Sequence, residues 1–246
     1  MKTSIVIPYY DRPHILRKCL ESIHDWTNTD KNPLEIIVVD DGSPDGGKAS
    51  TKITREFGLT SHYRDKDSRN PGIPVNYGVK MATGEALLIN DPDFIHASPV
   101  VGSMVARLNI KPGYYLACAY SLPEAAVKLR DFSEWERREA GIVAEGDDAW
   151  YCHPVHRNIG LGTVRGILRE DFNRLGGMDT RYAKYYGYED TDFLRTALNS
   201  NVHVEICPDQ LVLHYWHYHG RDKEENESRR LAYIVNKNLY EEKWNA

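Results

Sequence analysis

Cysteine, basic charge and long apolar runs are all in short supply in this chain. Cys19, Cys118, Cys152 and Cys207 are its four cysteines. They stand far apart, with no Cys-x-x-Cys and no zinc-ligand spacing, so they read as buried thiols in a reducing, cytoplasmic compartment. The formal charge of -5 provides no field to gather nucleic acid or anionic lipid, so a nucleic-acid acceptor is not favoured. No apolar stretch approaches the ~20 residues that cross a bilayer as a helix, and peripheral attachment to a membrane is compatible with the sequence. Met1-Lys2 runs straight into a strand-like segment, leaving no room for a signal peptide. Repeats and low-complexity tracts are missing as well, and Gly, Ser and Pro do not cluster into a linker within residues 123–160.

What is present is a 246-residue chain that is 41% hydrophobic and 27% charged, enough for one large α/β domain. The first 95 residues alternate apolar runs with helical periodicity. Thr3 to Ile7 is a strand stopped by Pro8, and Asp11 is placed to cap a helix with Ile15, Leu16, Cys19, Leu20 and Ile23 on one face. Leu34 to Val39 is a second strand ending in Asp40-Asp41-Gly42-Ser43, and Leu59 to Tyr63 is a third. Pro71 to Ala82 reads as a helix with Val75, Val79 and Ala82 inward. Ala86 to Ile89 is a strand buried on both faces, ending at Asn90-Asp91-Pro92-Asp93. This pattern predicts a mostly parallel, doubly wound half, whose strand ends bring Tyr10, Asp41, Asp91 and Asp93 to the edge where open α/β sheets bind ligands.

Asp91-Pro92-Asp93 carries the chemistry. In extended chain the two carboxylates point the same way, and without a Lys or Arg nearby they would repel, which a hard divalent cation relieves. The same three residues also read as a plain turn. Residues 96–246 are less regular: a helix near 98–108, a strand over Tyr114 to Tyr120, and an aperiodic 123–160 segment with Trp135, Trp150, Tyr151, His153 and His156. Short helices follow at 169–175 and 189–198, the latter with Phe193, Leu194, Ala197 and Leu198 inward. Strands at 202–206 and 211–216 precede a charged surface helix from Asp222.

With these pieces in order, the chain resembles the GT-A glycosyltransferases, most closely family 2. Ser4-Ile5-Val6-Ile7-Pro8-Tyr9-Tyr10-Asp11-Arg12 is similar to that family's first strand and loop, and Glu35 to Ser43 to its second strand and acidic turn. Asn70, Gly72, Asn76 and Ala82-Thr83-Gly84-Glu85 are similar to the stretch before its D-x-D, where Asp91-Pro92-Asp93 stands. Gly176-Gly177-Met178-Asp179 and Gly187-Tyr188-Glu189-Asp190-Thr191-Asp192 resemble the acceptor-side motif of galactosyltransferase-like members, and Lys237 to Trp244 resembles family 2 tails.

The resemblance implies a single GT-A domain over 1–246, with a Rossmann-like, mostly parallel sheet, a nucleotide-sugar half at 1–95 and a mixed acceptor half at 96–246. It implies transfer from a nucleoside diphosphate sugar, UDP-sugar favoured, to a hydroxyl of a glycan or glycoconjugate. Pro8, Tyr10, Asp41, Asn76 and Asp91 would bind the nucleotide sugar: Tyr10 at the base, Asp41 accepting from its imide, Asn76 at the diphosphate, Asp91 at ribose or metal-bound water. Asp93, with Asp91 and His214, would hold Mn²⁺ or Mg²⁺, His217 and His219 being alternatives to His214. Asp190 would be the catalytic base of an inverting reaction, with Glu189, Trp150 and Tyr186 at the acceptor. Tyr151, Tyr185 and Trp216 are further candidate stacking surfaces for it.

Each assignment has a plainer counterpart. Tyr10 reads equally as a surface aromatic, Asp40 as a structural acid facing backbone amides, and Glu189, Asp190 and Asp192 as first-turn acids favoured by the helix dipole. A lone strand histidine is more often structural than a ligand. Other classes fit less well. A HAD-type phosphatase has its D-x-D near the amino terminus, a receiver domain would end near residue 125, and a sugar nucleotidyltransferase needs a basic Gly-rich loop after the first strand. A catalytically silent nucleotide-sugar binding module stays the alternative.

Overall fold

The computed structural model describes residues 1–27, 34–65, 70–122, 150–155, 162–184, 187–215 and 223–245. The alternation read from the sequence appears as β1 (Thr3–Tyr9), α1 (Pro13–Trp26), β2 (Leu34–Asp41), α2 (Lys48–Glu56), β3 (Ser61–Arg64), α3 (Gly72–Met81) and β4 (Ala86–Ile89). These four strands pair in parallel in the order β3-β2-β1-β4. β1 continues through Pro8 instead of stopping there. Its pairing with β4 ends at Val6, so the missing N–H of Pro8 falls beyond the point where that neighbour needs a donor.

Beyond residue 93 come β5 (Phe94–His96), α4 (Val100–Ile110), β6 (Tyr114–Ser121), β7 (Trp150–Cys152), β8 (Arg165–Leu168), α5 (Arg169–Arg174), α6 (Glu189–Asn199), β9 (Val204–His214) and α7 (Lys223–Trp244). Among the described residues all the strands form one sheet in the order β3-β2-β1-β4-β8-β6-β9-β5, with β7 added to β6. β8 runs antiparallel to both β4 and β6, and β5 antiparallel to β9, while β6 and β9 are parallel. The second half thus extends the first half's sheet.

Three local expectations are corrected. Asp11 does not cap α1: it has φ 45°, Arg12 takes the N-cap position, and no side chain caps the helix. The two strands expected at 202–206 and 211–216 are one strand. Pro208-Asp209-Gln210 forms a bulge, since Ala117 pairs with Cys207 and Cys118 with Leu211. Leu198 is 53% exposed, so α6 packs through Phe193 and Ala197. The inward faces of α1 and α3 are buried as the periodicity indicates, and no helix among the described residues is long and apolar enough to cross a membrane. All four thiols are buried and none is in a disulfide.

Close packing of α3 on β1 depends on Gly78, where a Cβ would stand 2.5 Å from a Val6 methyl.

Candidate active site

The carboxyl ends of the parallel strands set Tyr10, Asp41 and the Asp91-Pro92-Asp93 segment along one edge. Phe94 N–H donates to the Asp91 carbonyl at 3.1 Å, so the chain turns back between the two acids instead of running extended. Asn90 holds this turn from beneath. It is fully buried, donates from Nδ2 to the Asp91 carbonyl at 2.8 Å, and its Oδ1 lies 2.6 Å from His96 Nε2. Burial pushes His96 down to about 4, so it is a neutral strut.

The acids are not without cations, contrary to the sequence reading. β8 sets Arg165 opposite Ile89, and its Nη2 lies 3.3 Å from both carboxylate oxygens of Asp91. Arg12 Nη1 reaches Asp93 Oδ2 at 3.3 Å, and His214, opposite Phe94 in the β5–β9 pair, places Nε2 3.7 Å from the same oxygen. The His214 ring stacks on Tyr151, with centroids 5.1 Å apart and planes at 10°. Burial pushes Asp91 up to about 6; Arg165 opposes that rise and Asp93 adds to it.

Asp93 and His214 fit a divalent cation. Two donors 3.7 Å apart are spanned by one ion at bond lengths of about 2.1 Å. Among the described residues no group of three or more His, Cys, Asp or Glu is gathered for a metal. The donor set therefore suits an ion that completes its sphere with phosphate and water oxygens.

Glu189 and Asp190 open α6, after Tyr188 in the left-handed region at φ 73°. Asp190 accepts from the Gly162 N–H at 3.0 Å and the Thr191 N–H at 2.7 Å. Its charge bears on both Asp91 and Arg165, which ties the two acidic motifs into one electrostatic site. Glu189 is 8% exposed, and its Oε2 has no hydrogen-bond partner among the described residues. Burial, then repulsion from Asp190, pushes it up to about 8. Glu189, Asp190 and Asp192 all lie in the first turn of α6, where acids complement the helix dipole.

At the carboxyl end of β2, Asp40 is structural as expected, accepting from Ser43 N–H at 2.9 Å and Ser50 Oγ at 2.5 Å. Asp41 is ion-paired with Arg64 of β3, and Tyr10 is 40% exposed beside this corner. Pro8 lies in the buried run of β1. Asn76 is held against Met178. Its Nδ2 donates to the Met178 carbonyl at 2.8 Å and its Oδ1 accepts from Met178 N–H at 2.9 Å, so both ends of the amide are taken. Gly177, at φ 71°, permits that approach: a Cβ there would lie 2.8 Å from Asn76 Oδ1. Trp150 is 3% exposed, packed edge-on against Tyr120 and beside His153, which makes it core and not an open stacking surface. Tyr185, Tyr186, Trp216, His217, His219, His156 and Trp135 lie outside the described residues.

Arg12, Arg64, Arg165 and Tyr151 are site residues to which the sequence reading gave no role there, or, for Tyr151, only that of a stacking surface. Arg165 had a usable signal. A single guanidinium inside the buried run Val164-Arg165-Gly166-Ile167 needs a buried anion.

Residues 149–220 match a model described as the N-terminal domain of galactosyltransferase. A poly(ribitol-phosphate) beta-glucosyltransferase of Bacillus spizizenii is 37% identical over 98 residues, 38% of this chain and 15% of that protein. An uncharacterized glycosyltransferase of Escherichia coli, YibD, is 35% identical over 184 residues, 74% of this chain and 45% of that protein. The chain thus spans less than half the length of either relative. Among solved structures, a mannosyltransferase of Pyrobaculum calidifontis in complex with GDP-Man and Mn²⁺ superposes with TM-score 0.60 at 20% identity, over 96% of this chain and 62% of that one. S. aureus TarS 1-349 in complex with UDP gives 0.58 at 17%, over 96% and 65%. At such identities the likeness is one of fold, and the fold is GT-A. Residues 4–140, more than half of the chain, match the model described as glycosyl transferase family 2, and the chain belongs to that family.

Proposed function

We propose that this protein transfers a sugar from a UDP-sugar to a hydroxyl of a glycan or glycoconjugate, with inversion and with Asp190 as the base. The observation that carries this reading is the meeting of Asp91, Asp93, Arg165 and His214 with Glu189 and Asp190 at one edge of the sheet. Similar proteins support it from outside: one is a poly(ribitol-phosphate) beta-glucosyltransferase, another is in complex with UDP, a third with GDP-Man and Mn²⁺. The sheet's continuity across residue 95 supports treating 1–246 as one domain, and four buried, unbridged thiols support a cytoplasmic setting.

Asp93 and His214 would hold the divalent cation, which supplies charge neutralisation for the departing diphosphate. Arg165 keeps Asp91 fixed at the turn, where it can accept from ribose or from water. Asp41, oriented by Arg64, offers an acceptor to an imide N–H, which selects uracil or thymine over cytosine by leaving the wrong edge unpaired. Glu189 retains its proton at neutral pH and donates toward an acceptor oxygen, while Asp190 receives the proton of the attacking hydroxyl. Tyr151, stacked on His214, supports the plane of that ring.

The test is release of UDP from a panel of UDP-sugars with and without Mn²⁺. Turnover that disappears on chelation supports the reading, and binding without any release points to the silent module instead. Asp190→Asn should lower kcat by about 10²–10⁴-fold while nucleotide affinity stays within about twofold. Undiminished turnover in that variant removes Asp190 as the base.

A further inference from the structure

The chemistry proposed above leaves α7 without a task, yet its side chains surround the turn that carries Asp190. Tyr188, the residue before Glu189, holds φ 73°, a conformation that costs a non-glycine residue ~1 kcal/mol or more and persists only where its surroundings enforce it. The surroundings come from α7. Tyr188 Oη donates to Tyr233 Oη at 3.2 Å, and its ring lies against Tyr233 and Tyr240, with centroids 5.1 and 5.3 Å away. Asn236, 2% exposed, donates from Nδ2 to the Gly187 carbonyl at 2.9 Å.

The far side of the same turn is held as well. Asp192 is 2% exposed and accepts from Lys243 Nζ at 2.8 Å, Trp244 Nε1 at 2.8 Å and Tyr182 Oη at 3.1 Å. Lys243 also reaches Asp179 at 2.9 Å, and Arg195 of α6 lies over the Tyr240 and Trp244 rings at 5.5 and 5.2 Å. Gly187 and Asp192, on either side of Glu189-Asp190, are therefore both fastened to one helix.

We propose that α7 is a positioning element for the reaction: Asn236, Tyr240 and Trp244 set the place of the Asp190 carboxylate through Gly187, Tyr188 and Asp192, without touching substrate. This rests on the reading of Asp190 as the base. Displacements near 1 Å in such a group can cost about 10²-fold in rate, so three anchors within one helical turn of the base have a kinetic purpose as well as a structural one. Leu231 and Val235 are exposed on α7 and provide a control on the same helix.

The experiment compares full-length Asn236→Ala, Trp244→Phe and Leu231→Ala with the parent protein by hydrogen exchange of the 187–193 peptide and by UDP release from UDP-glucose with Mn²⁺. Exchange in that peptide should quicken about tenfold in the first two variants, with β1 and β4 unchanged and Leu231→Ala like the parent. In those two variants kcat per folded molecule should fall about tenfold, with the donor KM within about twofold. Unchanged exchange at 187–193, or acceleration spread evenly over the whole protein, overturns the proposal. The exchange result is independent of catalysis. An active Asp190→Asn enzyme, together with a loosened 187–193 peptide in Asn236→Ala and Trp244→Phe, would refute the base and leave the anchoring intact.

Discussion

Arg165 Nη2 stands 3.3 Å from both carboxylate oxygens of Asp91, across 74 residues of sequence. Arg165 is 3% exposed, so its removal strands an anion that burial has already pushed up to about 6. Arg165→Met should destabilise the protein by about 3 kcal/mol, the lower end for a buried pair, since the Asp91 side chain keeps 25% exposure. Adding Asp91→Asn should restore much of the loss. Urea denaturation of the two single variants and the double variant measures this coupling.

Glu189 makes stability depend on pH. Its value rises from 4.5 to about 8 on folding, so between those limits the unfolded chain has released a proton that the folded chain retains. Stability from this group is complete below about pH 4.5 and is lost as pH rises toward 8. Glu189→Gln, neutral throughout, should flatten the melting temperature across that window and raise it at pH 8. It should also keep far more activity than Asp190→Asn.

Asp93 and His214 should govern metal affinity together. Calorimetric titration of Mn²⁺ in the presence of UDP is expected to show at least about tenfold weaker binding for Asp93→Ala and for His214→Ala. Affinity that survives both changes would assign the ion elsewhere.

Asn76 should behave as a structural residue. Asn76→Ala removes both hydrogen bonds to Met178 and should cost about 1–3 kcal/mol of stability. The donor KM should stay within about twofold of the parent, and a large rise in KM without loss of stability would return Asn76 to the diphosphate.

The first half was legible because its signals are local. The runs of β1, β2 and β4 and the periodicity of α1 and α3 name their own elements, and parallel order then fixes the edge that carries Asp41, Asp91 and Asp93. What escaped depends on partners far along the chain. Nothing near Asn76 announces that Met178 will occupy its amide, and nothing near Asp91 announces Arg165. β5 was missed because three residues after a turn carry no period, and β9 was divided because Pro208 in a bulge looks like the end of a strand. Family resemblance supplied the expected role of Asp190, which its place in a first helical turn alone does not distinguish from dipole compensation.

The order in which these pieces leave the ribosome matters. Asp93 pairs with His214, the last residue of β9, and Asp91 with Arg165 on β8. A nascent chain that has completed its first four strands carries Asp91 and Asp93 without the Arg165 and His214 that meet them. Contacts of such long sequence separation carry the larger loop-closure cost, so the two acids stay without these partners until His214 has been made.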